Sequence, residues 1–205
     1  ADIQAHLLIE VDGNYPDILF AEAEKIMQVL EQFDIDEILF ADTEDQKNAL
    51  WKLRRAVGEA VKSNSIYKEE DTVVPRYELP KLLEGIKTIG DKYGFKSVCY
   101  GHAGDGNLHC IMPVRDDDGE DYLSRLNQIN DSLIRRTLEA GGTCTGEHGV
   151  GYGKMKYLEQ QYGTGAVHMM KLIKNAIDPL NIMNPGKVVR GISRMGSHIS
   201  VVAPG

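Results

Sequence analysis

The sequence predicts an α+β fold, and three observations predict it. Long stretches with apolar residues three and four apart read as amphipathic helices, while short apolar runs read as strands. Their order follows no regular β-α-β alternation, which argues against a doubly wound parallel sheet. Between two of the strand-like runs sits Asp105-Gly106, the residue pair of a tight antiparallel hairpin turn.

Taken in order, residues 5–11 are apolar with little interruption and end in Asp12-Gly13, which predicts a buried strand closed by a turn. A helix is expected over 15–33, where Ile18, Leu19, Ala23, Ile26, Met27 and Leu30 form one stripe, and 38–41 return to strand character. Thr43 is a candidate N-cap with Gln46 completing a capping box, and Ala49, Leu50, Leu53, Val57 and Val61 continue a helix that carries Trp51, Arg54 and Arg55. Two short extended segments, 65–68 and 72–74, precede Pro75, and a helix over 79–93 stops at Gly94.

Strands are expected over 96–101 and 108–114, then a long helix over 121–140 that ends at Gly141-Gly142. A glycine-dense loop over 146–153 follows, with helices at 154–162 and 165–177. Asp178-Pro179 and Asn184-Pro185-Gly186 force irregular chain, and 191–205 read as a tail, leaving one domain over 1–190.

Composition narrows the function classes. With 205 residues the chain can bury a sizeable core. Against 31 Asp plus Glu stand 23 Lys plus Arg, a net charge of −8, and no basic stripe interleaves with aromatics, so nucleic acid is not an expected partner. Three cysteines without CxxC spacing suit reduced thiols in a cytoplasmic chain. No run approaches the roughly 20 apolar residues of a membrane span. No GxGxxG or GxxxxGK[ST] phosphate loop occurs.

Chemistry concentrates in Tyr100-Gly-His-Ala-Gly-Asp-Gly-Asn-Leu-His109. If Asp105 and Gly106 are the central residues of a two-residue turn, His102 stands opposite His109, and opposed side chains are close enough for two imidazoles to reach one divalent ion. The competing reading makes both residues hydrogen-bonded polar groups near a turn. Glu147 and His148 weigh against it: His102, His109 and Glu147 would make a two-histidine, one-carboxylate set suited to zinc, manganese or iron, with zinc preferred. His148 would remain free as a base for a substrate hydroxyl. Arg54 is the cationic candidate for a substrate carboxylate and Lys68 a second one, each weighed against a solvated face.

The chain resembles the C-terminal domain of FAD-linked oxidases, the family of glycolate oxidase, D-lactate dehydrogenase and D-2-hydroxyglutarate dehydrogenase. The motifs that carry the resemblance are His6-Leu-Leu-Ile-Glu-Val-Asp-Gly13, Leu50-Trp-Lys-Leu-Arg54, Glu70-Asp-Thr-Val-Val-Pro-Arg76, Gly101-His-Ala-Gly-Asp-Gly-Asn-Leu-His109, Gly146-Glu-His-Gly149 and Asn184-Pro-Gly-Lys187. It implies a mostly antiparallel sheet with helices packed on it, the ferredoxin-like cap domain of these oxidases. It implies further that His102, His109 and Glu147 hold the metal, His148 is the catalytic base, Arg54 and Lys68 bind the substrate, and Asn107 and Asn184 lie towards the flavin. The implied reaction oxidises a 2-hydroxyacid to a 2-oxoacid with hydride transfer to FAD.

An N-terminal FAD-binding domain, in the same or a partner chain, is expected from the resemblance and is absent from this sequence, so the fragment is expected to be inactive alone. An iron–sulfur or other electron-acceptor subunit, a homodimer contact, and a cytoplasmic location with peripheral attachment at the inner membrane through a partner belong to the same set of expectations. Gly58, one turn after Arg54, lacks a hydroxyl that some relatives use, which argues against the hydroxyglutarate branch. Two other readings of the same residues are a metal-dependent hydrolase and a noncatalytic 2-hydroxyacid-binding module.

Overall fold

The computed structural model describes residues 5–63, 66–113 and 121–190. It divides into two compact units, Ala1–Ser63 and Asn64–Gly205. The expected tail, 191–205, lies outside the described residues.

The first unit is helical. Helix α1, Pro16–Leu30, starts on a proline, whose fixed φ suits the first turn. Helix α2, Glu44–Lys62, starts at Thr43, whose hydroxyl accepts the Gln46 backbone N–H at 3.4 Å while the Gln46 side-chain Oε1 accepts the Thr43 N–H at 3.2 Å. That is the capping box the sequence predicts. The strands expected over 5–11 and 38–41 do not form. An apolar run becomes a strand only when another strand completes its hydrogen bonds, and among the described residues of this unit no such partner exists. Leu7, Ile9, Leu39 and Phe40 are exposed within it.

The second unit holds an antiparallel sheet of three strands, β1 (Tyr67–Val73), β2 (Val98–His102) and β3 (Asn107–Pro113), in the order β1-β3-β2. Helix α3, Leu79–Tyr93, crosses from β1 to β2 and ends at Gly94 in the left-handed conformation, φ 71°. Helix α4, Tyr122–Glu139, follows β3. Strand, helix, hairpin, helix with the third strand inserted centrally is the ferredoxin-like split β-α-β arrangement. Past α4, Thr143 makes an isolated antiparallel bridge to Val73, at the free edge of β1.

One face of the sheet carries Thr72, Leu108, Cys110 and Met112 and is packed by Leu82 and Ile86 of α3 and Ile129 and Leu133 of α4. Each such aliphatic side chain contributes roughly 1.5–3 kcal/mol on burial. The opposite face carries Glu69, Asp71, Tyr100, His102, Asn107 and His109, because side chains alternate along each strand.

Two expectations need correction. Segments 65–68 and 72–74 are not separate: β1 runs unbroken through Lys68, Glu69, Glu70 and Asp71. Glu70 is buried against Lys68 at 3.0 Å and Lys154 at 3.3 Å, and paired charges can sit inside a strand. The hairpin is not closed by a two-residue turn either. A single helical turn, Ala103–Asp105, and left-handed Gly106 make a four-residue connection, so His102 faces Asn107 and Tyr100 faces His109. Gly106 is required there: its φ is 72°, and a Cβ would stand 2.0 Å from the Val74 carbonyl oxygen.

Helix α5, Leu158–Ile177, enters through a single turn at Met155–Tyr157 and is interrupted at Gly163, φ 80°, which reconciles it with the two helical stretches expected. Leu158 and Val167 pack with Ile134, Cys144, Tyr157 and Val189 in a second small core. Asn184 is exposed with φ 46°, in the irregular chain that the prolines predict.

Candidate functional site

The centre of the site is a carboxylate that the sequence did not single out. Asp71 is 1% exposed and sits directly opposite His109 on the face of the sheet away from α3 and α4. Its Oδ2 accepts three consecutive backbone N–H groups, from Gly146 at 2.8 Å, Glu147 at 2.9 Å and His148 at 2.9 Å, and the Thr145 hydroxyl at 3.3 Å. Asn107 donates its amide to Oδ1 at 2.7 Å and to the Thr72 carbonyl at 3.2 Å. Successive N–H groups converging on an anion form a nest. Here the protein's own carboxylate fills it.

Burial alone would raise the Asp71 pKa, but the His148 N–H, the Asn107 amide and the Gly146 N–H outweigh it and hold the carboxyl down from 3.8 to about 2. The glycine at 146 is needed for so close a wrap. A Cβ there would lie 2.2 Å from the Asn107 amide nitrogen and 2.5 Å from Asp71 Oδ1.

The loop so anchored presents Glu147 and His148 to the sheet. His109, 4% exposed, has Nε2 3.2 Å from Glu147 Oε1, and the His148 ring stacks on it at 5.0 Å between centroids. His102 meets the same ring edge-on at 6.2 Å. Ligand atoms of His102, His109 and Glu147 all lie within 4.8 Å of one another, and so do those of Glu69, His109 and His148. The expected trio therefore converges although the expected register does not hold. Pairing slipped by two residues, which keeps every side chain on its face; a slip of one would have sent His102 to the other side.

Donor chemistry fits a divalent cation. His109 Nδ1 is buried without a hydrogen-bond partner, 3.8 Å from Asp71 Oδ1 and 3.9 Å from Glu69 Oε1. A proton on Nδ1 facing these carboxylates leaves Nε2 as the free lone pair, the tautomer a metal ligand needs. Burial pushes the His109 pKa down, against the pull of Asp71, and so favours the neutral ligating form. Tyr100 adds a ring 5.4 Å from His109 and donates its hydroxyl to Glu69 Oε1 at 3.3 Å.

Lys68, Arg54, Asn107 and Asn184 are the remaining candidates. Lys68 points to the helix-covered face, where it pairs with Glu70. Arg54 is half-buried on α2 of the first unit. Asn107 is 6% exposed and committed to Asp71 and Thr72, while Asn184 lies in the irregular chain after α5. Beyond Asp71, sequence reasoning passed over Glu69 and Lys154, whose ammonium donates to the Asp71 carbonyl at 2.7 Å. Glu69 and Asp71, two apart on a strand, were a readable sign of a shared acidic face.

Comparison with known proteins gives the family of the chain. Residues 1–188 match the family model for FAD linked oxidases, C-terminal domain. The chain belongs to this family. The FAD-linked oxidase C-terminal domain here is 38% identical over 190 residues to the glycolate oxidase subunit GlcD of Bacillus subtilis, covering 90% of this chain and 39% of that protein. It is 33% identical to a D-lactate dehydrogenase of Anaerostipes hadrus, over 91% of this chain and 40% of the relative. A mitochondrial cytochrome-type D-lactate dehydrogenase of Saccharomyces cerevisiae is 32% identical over 90% of the chain and 32% of its own length. The chain thus spans well under half of these relatives.

Among solved structures, 4-ethylphenol oxidase from Gulosibacter chungangensis superposes with a TM-score of 0.52 at 17% identity, over 88% of this chain and 38% of that one. This likeness is one of fold. No helix among the described residues is long and apolar enough to cross a membrane.

Proposed function

We propose that this domain is the substrate-binding half of a flavin-dependent 2-hydroxyacid dehydrogenase of the glycolate or D-lactate type, completed by a flavin-binding domain in the same or a partner chain. The observation that carries the reading is the convergence of His102, His109 and Glu147 beside His148, in a chain of this family. His102, His109 and Glu147 would hold a divalent cation, zinc by preference, which would supply positive charge for the hydroxyl and carboxylate oxygens of the substrate. FAD, bound by the other domain, would accept the hydride.

Within this frame the chain's own residues bind, orient and move a proton. His148, half-exposed at the rim of the cluster, takes the hydroxyl proton on its ring nitrogen. Its backbone N–H, held by Asp71, fixes the approach of the ring. Burial holds the His109 pKa down, against the pull of Asp71, which disfavours a proton there. Arg54 is the proposed partner of the substrate carboxylate, a role its planar guanidinium fits.

The test joins this chain to its encoded upstream neighbour and follows flavin bleaching with glycolate, D-lactate and D-2-hydroxyglutarate. Reduction by glycolate or D-lactate that His148→Ala removes supports the reading. Reduction that survives His148→Ala overturns the proton role, and metal-dependent hydrolysis without flavin overturns the redox reading.

A further inference from the structure

We propose that Cys99 and Cys110 form a peroxide-reactive dithiol that closes to a disulfide across the β2–β3 hairpin, on the sheet face opposite the histidine cluster. All three cysteines are free thiols. Two of them are direct cross-strand partners in an antiparallel ladder, Cys99 on β2 and Cys110 on β3.

The backbone hydrogen bonds settle what kind of pair this is. Val74 donates its N–H to the Gly106 carbonyl at 3.0 Å, so Gly106, Leu108 and Cys110 turn their backbone groups towards β1. Independent support comes from the other edge of β1, where the carbonyls of Val73 and Asp71 face away from β3, towards Thr143 and Lys154. Asn107, His109 and Ile111 must then serve β2. Cys99 and Cys110 consequently exchange no backbone hydrogen bond, the pairing in which Cα atoms approach to about 4.5 Å. Disulfides span Cα separations of about 4.4–6.8 Å.

Exposure sets the order of events. Cys99 is partly exposed on β2, an edge strand, whereas Cys110 is 2% exposed in the core between the sheet and its helices. The Cys99 thiolate attacks the O–O bond of a hydroperoxide; a sulfur–oxygen bond forms, the O–O bond breaks, and the leaving oxygen departs as water or alcohol after taking a proton. Cys110 sulfur then attacks Cys99 sulfur, the sulfur–sulfur bond forms, the sulfur–oxygen bond breaks, and the Cys110 proton leaves with the hydroxyl as water. Two thiols and one peroxide give one disulfide; sulfur loses two electrons and peroxide oxygen gains them. Cys144 is 1% exposed in the second core, among Ile134, Tyr157 and Leu158, and takes no part.

The experiment treats the full 205-residue chain with hydrogen peroxide, then unfolds and alkylates it. Alkylatable thiols are expected to fall from three to one, and the tryptic peptide of residues 97–115 to lose two hydrogens, restored by dithiothreitol. In Cys110→Ser the partnerless Cys99 is expected to accumulate as a sulfenic acid that dimedone captures, and Cys144→Ser is expected to leave the bridge intact. Three alkylatable thiols after peroxide, oxidation of Cys99 to sulfinate without loss of two hydrogens, or a disulfide between chains would each overturn the proposal. The wild-type mass measurement decides it even if Cys110→Ser fails to fold.

Discussion

The backbone N–H of His148 donates to Asp71 Oδ2 at 2.9 Å, although the two residues stand 77 positions apart. With the parallel bonds from Gly146 and Glu147, it makes a strand carboxylate the anchor of the loop that carries Glu147 and His148. Asp71→Ala leaves three N–H groups without their acceptor. Unfolding in denaturant should show a loss of about 3 kcal/mol, the upper range for orphaning groups bonded to a charge. Zinc affinity of the folded fraction should fall by about 10- to 100-fold, as when the support behind a metal ligand is removed. A variant with unchanged zinc affinity would mean that the loop holds its geometry without Asp71.

The same carboxylate gives an acid-side signature. Its folded pKa, about 2, lies below the unfolded value of 3.8, so ionised Asp71 contributes stability that is fully present above pH 4 and is lost as pH falls through about 2. The shift corresponds to about 2 kcal/mol. Wild type should lose that much more than Asp71→Asn between pH 5 and pH 2 in urea titrations. Parallel curves for the two proteins would remove Asp71 as an acid-sensitive contact.

Two overlapping ligand sets share His109, and mutation separates them. If His102, His109 and Glu147 hold the ion, Glu147→Gln and His102→Ala should weaken zinc binding by about 100-fold or more, at least as much as losing a supporting contact. His148→Ala should then leave zinc affinity within a few-fold, while flavin reduction in the rejoined enzyme falls by about 100- to 10,000-fold, the range for loss of a general base. The opposite pattern, with Glu69→Gln and His148→Ala weakening zinc and Glu147→Gln harmless, assigns the ion to Glu69, His109 and His148. Isothermal titration of each metal-free variant reads the difference.

How much of this was legible in the sequence depends on how local the governing physics is. The Thr43 capping box and the stop of α3 at Gly94 involve residues within one turn, and both are formed as read. The trio of metal candidates was legible because the face of a strand residue depends on parity alone, so even a turn read two residues too short left His102 beside His109. Asp71 was not legible as an anchor, since its donors come from a loop more than seventy positions away. The apolar runs 5–11 and 38–41 failed as strands for a related reason: apolar character says that a segment seeks cover, and only a partner decides whether the cover is a sheet.

Gly146 offers a last prediction that separates backbone fit from charge. Its φ is not among the left-handed glycines, so alanine meets no dihedral penalty, and the cost of Gly146→Ala is steric. The new methyl would press on the Asn107 amide and Asp71 Oδ1, two polar groups locked to each other at 2.7 Å, and neither is the free end of a flexible chain. Overpacking of this kind costs about 1–3 kcal/mol. It should also shift Glu147 and His148 away from His109, because the loop can relieve the clash only by lifting off Asp71. Denaturant unfolding and zinc titration of Gly146→Ala should therefore both weaken, and the pair Gly146→Ala with Asp71→Ala should be less than additive, since the second change removes the atom that the first one strikes. Strict additivity would mean that the methyl is accommodated elsewhere and that the loop does not rest on the carboxylate.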